Sequence, residues 1–306
     1  MGAVVCWPDT VVGADDHRFR DSGAPVHGRT DGGNQVTRRS TRAITFDLDD
    51  TLIRNAFGSW VIPEIAEHIT NGDPEADVAR SLQQRHRKAL ERGDALAAYD
   101  WQAHTDALAE EAGLGAGAVD VAAVVRRHAV PSKVRLVHEK TIPVLRSLRD
   151  DGWRVVILTN GFRVYQEPVL RSTGLWDEVD QVLTTDDLGW AKPDPRAFAA
   201  AFGGATTTVH VGDRIDHDIR GARGAAVTSV LMRQDAPFVG RMAELDPDQL
   251  AEMRGYLLEA AAAQRAAIPA ATEPADLMPD AVVADIVELP PVLDELGKEA
   301  TTARQP

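Results

Sequence analysis

The sequence has almost no cysteine and no excess of positive charge. Its 306 residues include one cysteine, Cys6, so neither an internal disulfide nor a cysteine-based metal site can form, which is typical of proteins in a reducing cytosol. The formal net charge at pH 7 is −14. A chain this acidic lacks the basic surface that attracts the phosphate backbone of a nucleic acid. We therefore expect no nucleic acid polymer as a partner.

Long hydrophobic runs are absent as well. No stretch of about 18 apolar residues occurs, so we expect no membrane span and no membrane partner. The N-terminus lacks the basic start and the apolar segment of a secretory signal, and together with the single cysteine this favours a cytoplasmic location. Hydrophobic residues make up 44% of the chain and charged residues 26%, as is typical of a globular protein. The length allows one large domain with a sizeable insertion.

Short apolar runs alternate with helical patterns through most of the chain. Several of these runs are rich in β-branched residues and bounded by Gly or Asp, as in parallel strands that are covered on both faces. The alternation predicts a doubly wound, Rossmann-like α/β fold with a parallel sheet. The predicted strands are residues 43–48, 154–159, 207–212, 227–232 and 281–286, with a weaker candidate at 182–183.

The interval between the first two predicted strands is too long for one crossover connection. Residues 55–140 show four helical patterns in series, separated by Gly- and Pro-containing breaks, and we expect them to form an inserted α-helical cap. The remaining α/β core is predicted to consist of residues 42–54 and 141–295. The cap is expected to begin directly after the first strand and to end before the second.

A second, helical insertion is expected near residues 240–277. Asp246 and Pro247 combine an N-cap with a first-turn proline ahead of an apolar helical stripe. We expect this helix to pack on the surface rather than to serve catalysis. At the two ends of the chain, we predict a disordered N-terminal segment over residues 1–41 and a flexible tail over residues 296–306.

Acidic residues crowd the end of the first predicted strand. In ITFDLDDTL, residues 44–52, three carboxylates lie within four positions directly after an apolar run. Like charges this close repel, and burial penalises each carboxylate unless a cation neutralises it. The stretch therefore indicates either a solvated turn with an acidic helix cap or a site for a cation.

Three further polar segments also follow predicted strands. They are LTNG at 158–161, AKPDP at 191–195 and GDRIDHD at 212–218. Ligands bind at the carboxyl ends of the strands in open parallel sheets. Residues that are distant in sequence are therefore expected to converge in one crevice.

The four segments, in this order, resemble the motifs of the haloacid dehalogenase-like hydrolase superfamily. The resemblance covers residues from about 42 to about 290, and the helical insertion after the first motif is similar to the superfamily's helical cap of the first type. Each motif alone is common, whereas their joint occurrence is specific. The resemblance implies Mg²⁺-dependent hydrolysis of a small-molecule phosphomonoester through an aspartyl-phosphate intermediate. The implied partner is a small phosphorylated metabolite.

The resemblance also assigns roles to individual residues. Asp47 is expected to be the nucleophile, and Asp49 the general acid and base. Thr51 is expected to orient Asp49. Lys192 is expected to offset the negative charge on Asp47 and on the transferred phosphoryl group. A plain surface position is the alternative for Lys192, because Lys-Pro pairs are common.

The same resemblance predicts a magnesium site and a phosphate site. Mg²⁺ is expected to be held by Asp47, by the backbone carbonyl of Asp49 and by Asp213. Asp218 is expected in the outer coordination sphere, where it holds metal-bound water or Lys192.

Two neighbouring segments are expected to bind the substrate. The hydroxyl of Thr159 and the backbone amides of Asn160 and Gly161 suit a phosphate oxygen, because they lead into the N-terminus of a helix. Arg54 is tethered directly after the first motif and is expected near the mouth of the site.

Other polar residues near the motifs have a simpler interpretation. Asp50 is expected to cap the local turn or to face solvent, and Asp216 and His217 are expected to be exposed. Arg214 departs from the small hydroxyl residue that is frequent at its position in the family. For the cationic and aromatic residues of the helical segment, a charged helix face is favoured over substrate recognition.

The sequence leaves three other functions open. A 2-haloacid dehalogenase would use Asp47 but would need neither a metal nor Asp49, so the presence of Asp49 argues against it. A phosphomutase would retain Asp49 and would differ in its cap. A catalytically silent binding scaffold is opposed by the retention of every motif residue.

Overall fold

The computed structural model describes most of the chain from Ser40 onward. Of the segment predicted to be disordered, residues 1–41, all but the last two lie outside the described residues. Among the described helices, none combines the length and the apolar content that crossing a membrane needs. The described residues are 40–70, 77–264, 266, 268–269 and 272–302.

A seven-stranded sheet forms the centre of the fold. The strands are β1 (Arg42–Phe46), β2 (Arg154–Leu158), β3 (Gln181–Leu183), β4 (Thr207–Gly212), β5 (Thr228–Met232), β6 (Gly240–Arg241) and β7 (Ala281–Val283). Their order is β3-β2-β1-β4-β5-β7-β6, and all neighbouring pairs are parallel except β6 and β7. The predicted α/β fold is confirmed, and the weak candidate at 182–183 belongs to β3. The two-residue β6 was not predicted, because it is too short to show a periodic pattern.

Twelve α-helices accompany the strands in the described part of the chain. They are α1 (Ile62–Thr70), α2 (Val78–Glu91), α3 (Ala95–Tyr99), α4 (Trp101–Glu111), α5 (Val121–His128), α6 (Thr141–Asp150), α7 (Arg163–Thr173), α8 (Thr185–Leu188), α9 (Pro195–Phe202), α10 (Arg220–Gly224), α11 (Pro247–Ala263) and α12 (Leu289–Thr302). Single π-helical turns at Phe57–Val61 and Ile215–Ile219 precede α1 and α10.

Both faces of the sheet are covered. On β1, Ile44 faces a large apolar cluster that also contains residues of α6, α7 and α12. Its neighbour Ala43 faces the other side, where it packs with Phe198 of α9. Alternating residues of a strand point to opposite faces, so burial on both sides requires a continuous apolar run. This packing fixes where each strand ends and therefore where the following polar residues lie.

The described part of residues 55–140 contains five α-helices, α1 to α5, rather than the four that were predicted. One predicted helix, residues 97–112, is divided at Asp100 into α3 and α4. The Asp100 side chain accepts a hydrogen bond from the backbone N–H of Ala103, so it acts as an N-cap inside a helical pattern. Buried residues of this segment, such as Ile65, belong to the same apolar cluster as Ile44 of β1. The division into a core and a cap at residues 54 and 140 stays a prediction.

Helix α11 begins with the predicted N-cap residue, Asp246. The Asp246 side chain accepts hydrogen bonds from the backbone N–H groups of Asp248 and Gln249, and the Gln249 side chain accepts the N–H of Asp246. These contacts form a capping box, with Pro247 in the first turn. The last helix, α12, extends to Thr302, and the flexibility expected for residues 296–306 stays a prediction.

The capping box of α11 leads to a stability prediction. We expect Asp246→Ala to lower the free energy of unfolding by about 1 kcal/mol, because two N–H groups at the helix start lose their acceptor. Glu259→Ala, at an exposed position of the same helix, is the control and should change stability by less than about 0.5 kcal/mol. Urea unfolding followed by circular dichroism measures both. Equal effects of the two substitutions would contradict the capping role.

Candidate active site

Three adjacent strands end at the same edge of the sheet and carry the polar motifs there. Asp47 follows β1, Thr159 follows β2 and Asp213 follows β4. The backbone N–H of Asp47 donates to the carbonyl of Val211 at 2.9 Å, and that of Thr159 donates to the carbonyl of Leu183 at 3.0 Å. These bonds extend the ladders of the sheet by one residue. The motif residues therefore leave the sheet at fixed positions, as expected at the carboxyl ends of parallel strands.

A buried lysine joins two of the acidic segments. Lys192 is 2% exposed, and its Nζ donates to Asp47 Oδ1 at 2.6 Å and to Asp218 Oδ1 at 2.7 Å. Burial alone would lower the pKa of Lys192, but the two carboxylates hold it above its ordinary value. The lysine is therefore charged, and the alternative of a plain surface lysine is wrong.

Asn160 holds Lys192 in place. The Lys192 N–H donates to Asn160 Oδ1 at 2.8 Å, and Asn160 Nδ2 donates to the Lys192 carbonyl at 2.9 Å. The same Nδ2 also donates to the hydroxyl of Tyr99 at 2.8 Å, which belongs to α3. The Asn160 side chain therefore connects the β2 edge, the lysine and the helical segment. Neither Tyr99 nor this use of the Asn160 side chain was predicted.

Asp218 is fully buried and accepts three hydrogen bonds. Its donors are Lys192 Nζ, His210 Nε2 at 2.9 Å and the backbone N–H of Arg214 at 3.0 Å. Burial raises the pKa of Asp218, but Lys192 and His210 outweigh it and bring this pKa below its ordinary value. A Cβ at Gly212 would lie 2.3 Å from the Asp218 carboxyl carbon, so this close approach requires glycine.

His210 was missed in the sequence, although it interrupts an otherwise apolar strand. It lies in β4, is fully buried, and contacts Thr45 Oγ1 through Nδ1 at 2.7 Å. Since Asp218 is ionised, His210 Nε2 carries the proton it donates, and Nδ1 accepts from the Thr45 hydroxyl. Burial lowers the pKa of His210 more than Asp218 raises it, so the ring is neutral.

Three carboxylates surround a point where a cation fits. Ligand oxygens of Asp47, Asp213 and Asp218 all lie within 4.8 Å of one another. Asp213 Oδ1 is buried and has no hydrogen-bond partner among the described residues. Burial, followed by the charges of Asp47 and Asp218, raises the pKa of Asp213 well above its ordinary value. A hard divalent cation would satisfy the unpaired oxygen and would favour the ionised carboxylates, so the residues present fit such an ion.

The pKa of Asp47 is likewise set by burial and by neighbouring charges. Burial raises the pKa of Asp47 to about 7, even though Lys192 opposes the shift, and Asp218 and Asp49 add to it. One carboxylate oxygen, Oδ1, is held by Lys192, whereas the other, Oδ2, has a long contact of 3.4 Å with the Thr51 hydroxyl. The two oxygens of Asp47 are therefore in different environments.

Asp49 is oriented by a residue that was not predicted. Gln166 of α7 donates from Nε2 to Asp49 Oδ2 at 3.0 Å. Burial raises the pKa of Asp49 to about 6, and the bond from Gln166 opposes this shift. The prediction that Thr51 orients Asp49 is wrong. The chain turns tightly after Leu48, whose carbonyl accepts the N–H of Leu52 at 2.9 Å, so the Thr51 side chain faces Asp47 instead.

Thr159 is hydrogen-bonded to both Gln166 and Gly161. The Thr159 hydroxyl oxygen accepts from Gln166 Nε2 and from the backbone N–H of Gly161, both at 3.3 Å. A Cβ at Gly161 would lie 2.2 Å from Gln166 Nε2, so glycine leaves room for the glutamine side chain. The amide of Gly161, which was expected to bind phosphate, is occupied by Thr159 in this conformation.

Comparison of the sequence with known protein families identifies the family of this chain. The model for haloacid dehalogenase-like hydrolases matches residues 41–226. The chain belongs to this hydrolase family. The resemblance noted in the sequence is confirmed, while the type of cap stays a prediction.

Relatives of this haloacid dehalogenase-like hydrolase include named phosphatases. A glyceraldehyde 3-phosphate phosphatase of Methanopyrus kandleri is 29% identical over 221 residues, which cover 67% of this chain and 88% of the relative. A phosphoglycolate phosphatase of Cupriavidus necator is 31% identical over 170 residues, which cover 54% of this chain and 68% of the relative. The crystal structure of a HAD phosphatase from Thermococcus onnurineus superposes with a TM-score of 0.51 at 27% identity, covering 71% of this chain and 97% of that one.

Some residues of this haloacid dehalogenase-like hydrolase lie elsewhere than expected. Asp216 is buried rather than exposed, because its carboxylate forms a two-pronged ion pair with Arg214 at 3.0 and 3.1 Å. Burial lowers the pKa of the adjacent His217 to about 4. Asp50 is exposed and accepts the N–H of Asn55 within the local turn, as predicted. Arg54 is exposed, and its expected contact with the substrate stays a prediction.

Helix α11 reaches the site through its end. Gln264, directly after α11, donates from Nε2 to the Asp213 carbonyl at 2.9 Å and accepts the N–H of Ile215 at 3.1 Å. Its Nε2 also lies 3.4 Å from Asp213 Oδ2. The helix packs on Ile215 as a surface helix would, but its last side chain supports the loop of a candidate metal ligand. The helix was expected to pack on the surface rather than to serve catalysis, and this contact of its end with the Asp213 loop was not predicted.

The unpaired oxygen of Asp213 leads to a stability prediction for the metal-free protein. In EDTA at pH 8, we expect Asp213→Asn to raise the free energy of unfolding, because burial and the charges of Asp47 and Asp218 raise the pKa of this carboxyl group and make its ionised form costly in the folded state. A raised folded-state pKa means that the stability contributed by protonated Asp213 is lost as the pH rises. The advantage of the variant should therefore shrink toward pH 4.

Urea unfolding at several pH values measures this difference. Asp248→Asn, at an exposed position of α11, is the matched control and should show no such pH-dependent gain. A wild-type protein as stable as Asp213→Asn at pH 8 in EDTA would show that the buried carboxylate carries no electrostatic cost.

Proposed function

We propose that this hydrolase is a Mg²⁺-dependent phosphatase that acts on a small phosphomonoester through an aspartyl-phosphate intermediate. The observation that carries the proposal is the contact of 2.6 Å between buried Lys192 and one oxygen of Asp47, beside the acid Asp49. A fixed carboxylate, a cation and a proton donor are the groups that phosphoryl transfer to an aspartate needs. The phosphatase names of the relatives support the same reaction class.

Asp47 is proposed as the nucleophile. Lys192 holds Oδ1, which leaves Oδ2 free to attack phosphorus in line with the leaving group. The new bond joins Oδ2 to phosphorus, and the bond from phosphorus to the leaving oxygen breaks. The charge of Lys192 offsets the negative charge that gathers on Asp47 and on the phosphoryl group.

Asp49 is proposed as the acid and then the base. Its pKa, raised by burial to about 6, brings protonation of this carboxyl group closer to neutral pH than that of an ordinary aspartate. The carboxyl proton passes to the leaving oxygen as that oxygen departs. In the second half of the reaction, Asp49 takes a proton from the water that attacks phosphorus, and Asp47 is restored with release of phosphate.

Asp47, Asp213 and the backbone carbonyl of Asp49 are the proposed ligands of Mg²⁺. The three hydrogen bonds accepted by Asp218 support its proposed place in the outer coordination sphere, where it positions Lys192. When bound, Mg²⁺ supplies positive charge that lets the dianionic phosphate approach the carboxylates.

The proposed phosphate contacts are made by short side chains and backbone amides. Thr51 and Thr159 contribute hydroxyl groups, and Asn160 and Gly161 contribute backbone N–H groups. Phosphate binding would replace the present bond from the Gly161 N–H to Thr159. Arg54 is kept as a proposed contact at the mouth of the site.

A small cleft beside Asp49 has room for about one water molecule. Apart from Asp49, Gln166 and His128, its walls are formed by apolar and aromatic residues, and its volume is about 10 Å³, which is about the space of one water molecule. The names of the relatives support a short-chain phosphorylated metabolite as the proposed substrate, and glyceraldehyde 3-phosphate and phosphoglycolate are the first compounds to test. The residues that form the walls are Ala56, Phe57, Val61, Val125, Ala129, Val134, Tyr165 and Val169.

Asp47→Asn tests the nucleophile. We expect kcat for phosphate release to fall by at least about 10³-fold, because the amide cannot form the acyl-phosphate. Asp50→Asn, three residues away on an exposed turn, is the matched control and should retain near-wild-type kcat. Phosphate release is measured with acetyl phosphate and phosphoglycolate, and circular dichroism checks the fold. Activity of Asp47→Asn close to that of the wild type would eliminate the proposed nucleophile.

Metal removal tests the proposed cofactor. EDTA should abolish phosphate release and excess Mg²⁺ should restore it, because the carboxylates of Asp47 and Asp213 then lose and regain their counter-charge. Ca²⁺ should restore less activity, since it prefers more ligands at longer distances. Phosphate release that is unaffected by EDTA would contradict the proposed metal dependence. Chloride release from 2-chloropropionate in the presence of EDTA is the direct assay for the dehalogenase alternative.

A further inference from the structure

Gln166 is a buried polar side chain between two residues of the site. It is 8% exposed and lies on α7, seven residues after Thr159. Its Nε2 donates to Asp49 Oδ2 at 3.0 Å and to Thr159 Oγ1 at 3.3 Å. A primary amide has two N–H donors, so both bonds form at once. Within the described part of the chain, Gln166 is the one side chain that donates to the carboxyl group of Asp49.

We propose that Gln166 is a positioning residue that aims Asp49 at the leaving group, an inference that rests on the phosphatase function proposed above. The bond from Gln166 occupies Oδ2 of Asp49, so the transferable proton lies on Oδ1. That proton moves from Oδ1 to the leaving oxygen, which takes the electron pair of the breaking bond to phosphorus. After the alcohol has left, the same Oδ1 accepts a proton from the attacking water.

The surroundings of Gln166 fix its orientation. Its backbone N–H donates to the carbonyl of Phe162 at 3.0 Å in the first turn of α7. Its amide fills the space above Gly161, where a Cβ would lie 2.2 Å from Nε2. Thr159 accepts the second N–H on the other side. The side chain is therefore held by packing and by hydrogen bonds, as a residue that positions another group must be.

The position of Gln166 relative to the cleft supports this role. Gln166 and Asp49 both line the cleft, whose walls are otherwise mostly apolar. Few other polar groups there can hold the carboxyl group of Asp49, so its direction depends on the single bond from Gln166.

The inference predicts a dependence on the leaving group that a merely structural role would not produce. Acetyl phosphate and phosphoglycolate are both small, but acetate departs readily without a proton whereas the alkoxide of glycolate does not. Loss of a well-placed acid therefore slows only the second compound, by about 10²-fold. The readout is kcat/KM, because it reports the steps up to departure of the leaving group and omits the later attack of water.

Gln166→Leu, which removes both donors at similar volume, is compared with the wild type in the full chain with Mg²⁺. We expect kcat/KM for phosphoglycolate to fall by about 10²-fold and kcat/KM for acetyl phosphate to fall by less than about 5-fold. Gln166→Glu keeps the shape of the side chain and replaces the donor, so it should show the same selectivity if the leucine variant does not fold. Gln181→Leu, the same substitution at an exposed position of β3, is the control and should change neither value.

The outcomes separate the inference from the proposed function. Equal losses on both compounds, or no loss on either, would overturn the positioning role while leaving the phosphatase intact. A wild-type protein that releases phosphate from neither compound would overturn the proposed short-chain substrate, and with it this inference.

Discussion

The site depends on one buried ammonium group shared by two carboxylates. Removing three charges from water costs several kcal/mol for each ion unless they are closely paired. Lys192 lies 2.6 Å from Asp47 and 2.7 Å from Asp218, and both of these residues follow strands that are fixed by the central sheet. His210 and Asn160 then hold Asp218 and Lys192 from behind. The sheet register, the segment after β3 and the helical segment together hold Lys192 between Asp47 and Asp218.

The fold followed from local pattern wherever the pattern was long enough. The β-branched runs predicted β1, β2, β4, β5 and β7, and parallel pairing followed from their continuous burial. Two features of the fold were not predicted, because each is determined by only one or two residues. The antiparallel strand β6 has two residues, and the break between α3 and α4 depends on one hydrogen bond accepted by Asp100. The capping box at Asp246 was visible because all of its parts are adjacent in sequence.

The candidate site was predictable only where a residue belongs to one of the four motifs. Asp47 and Asp213 directly follow β1 and β4, and Lys192 lies in AKPDP, which α8 separates from β3. Gln166 and Tyr99 belong to no motif, and a polar residue on a helix gives no sign of which neighbour it will contact. The misplaced role of Thr51 has a similar cause, since its direction is set by the turn after Leu48 rather than by alternation along a strand. His210 did leave a signal, a lone histidine inside an apolar strand, and burial with a carboxylate is the physical meaning of that signal.

The apolar walls of the cleft beside Asp49 and the charged groups of the site come from different segments of the chain. The apolar walls come largely from residues such as Val125 and Val134 in the helical segment, whereas the charged groups follow β1, β3 and β4. A change from valine to alanine in a wall would enlarge the cleft without touching any ionised residue. Such a substitution would change the space beside Asp49 while Lys192 keeps its contacts with Asp47 and Asp218.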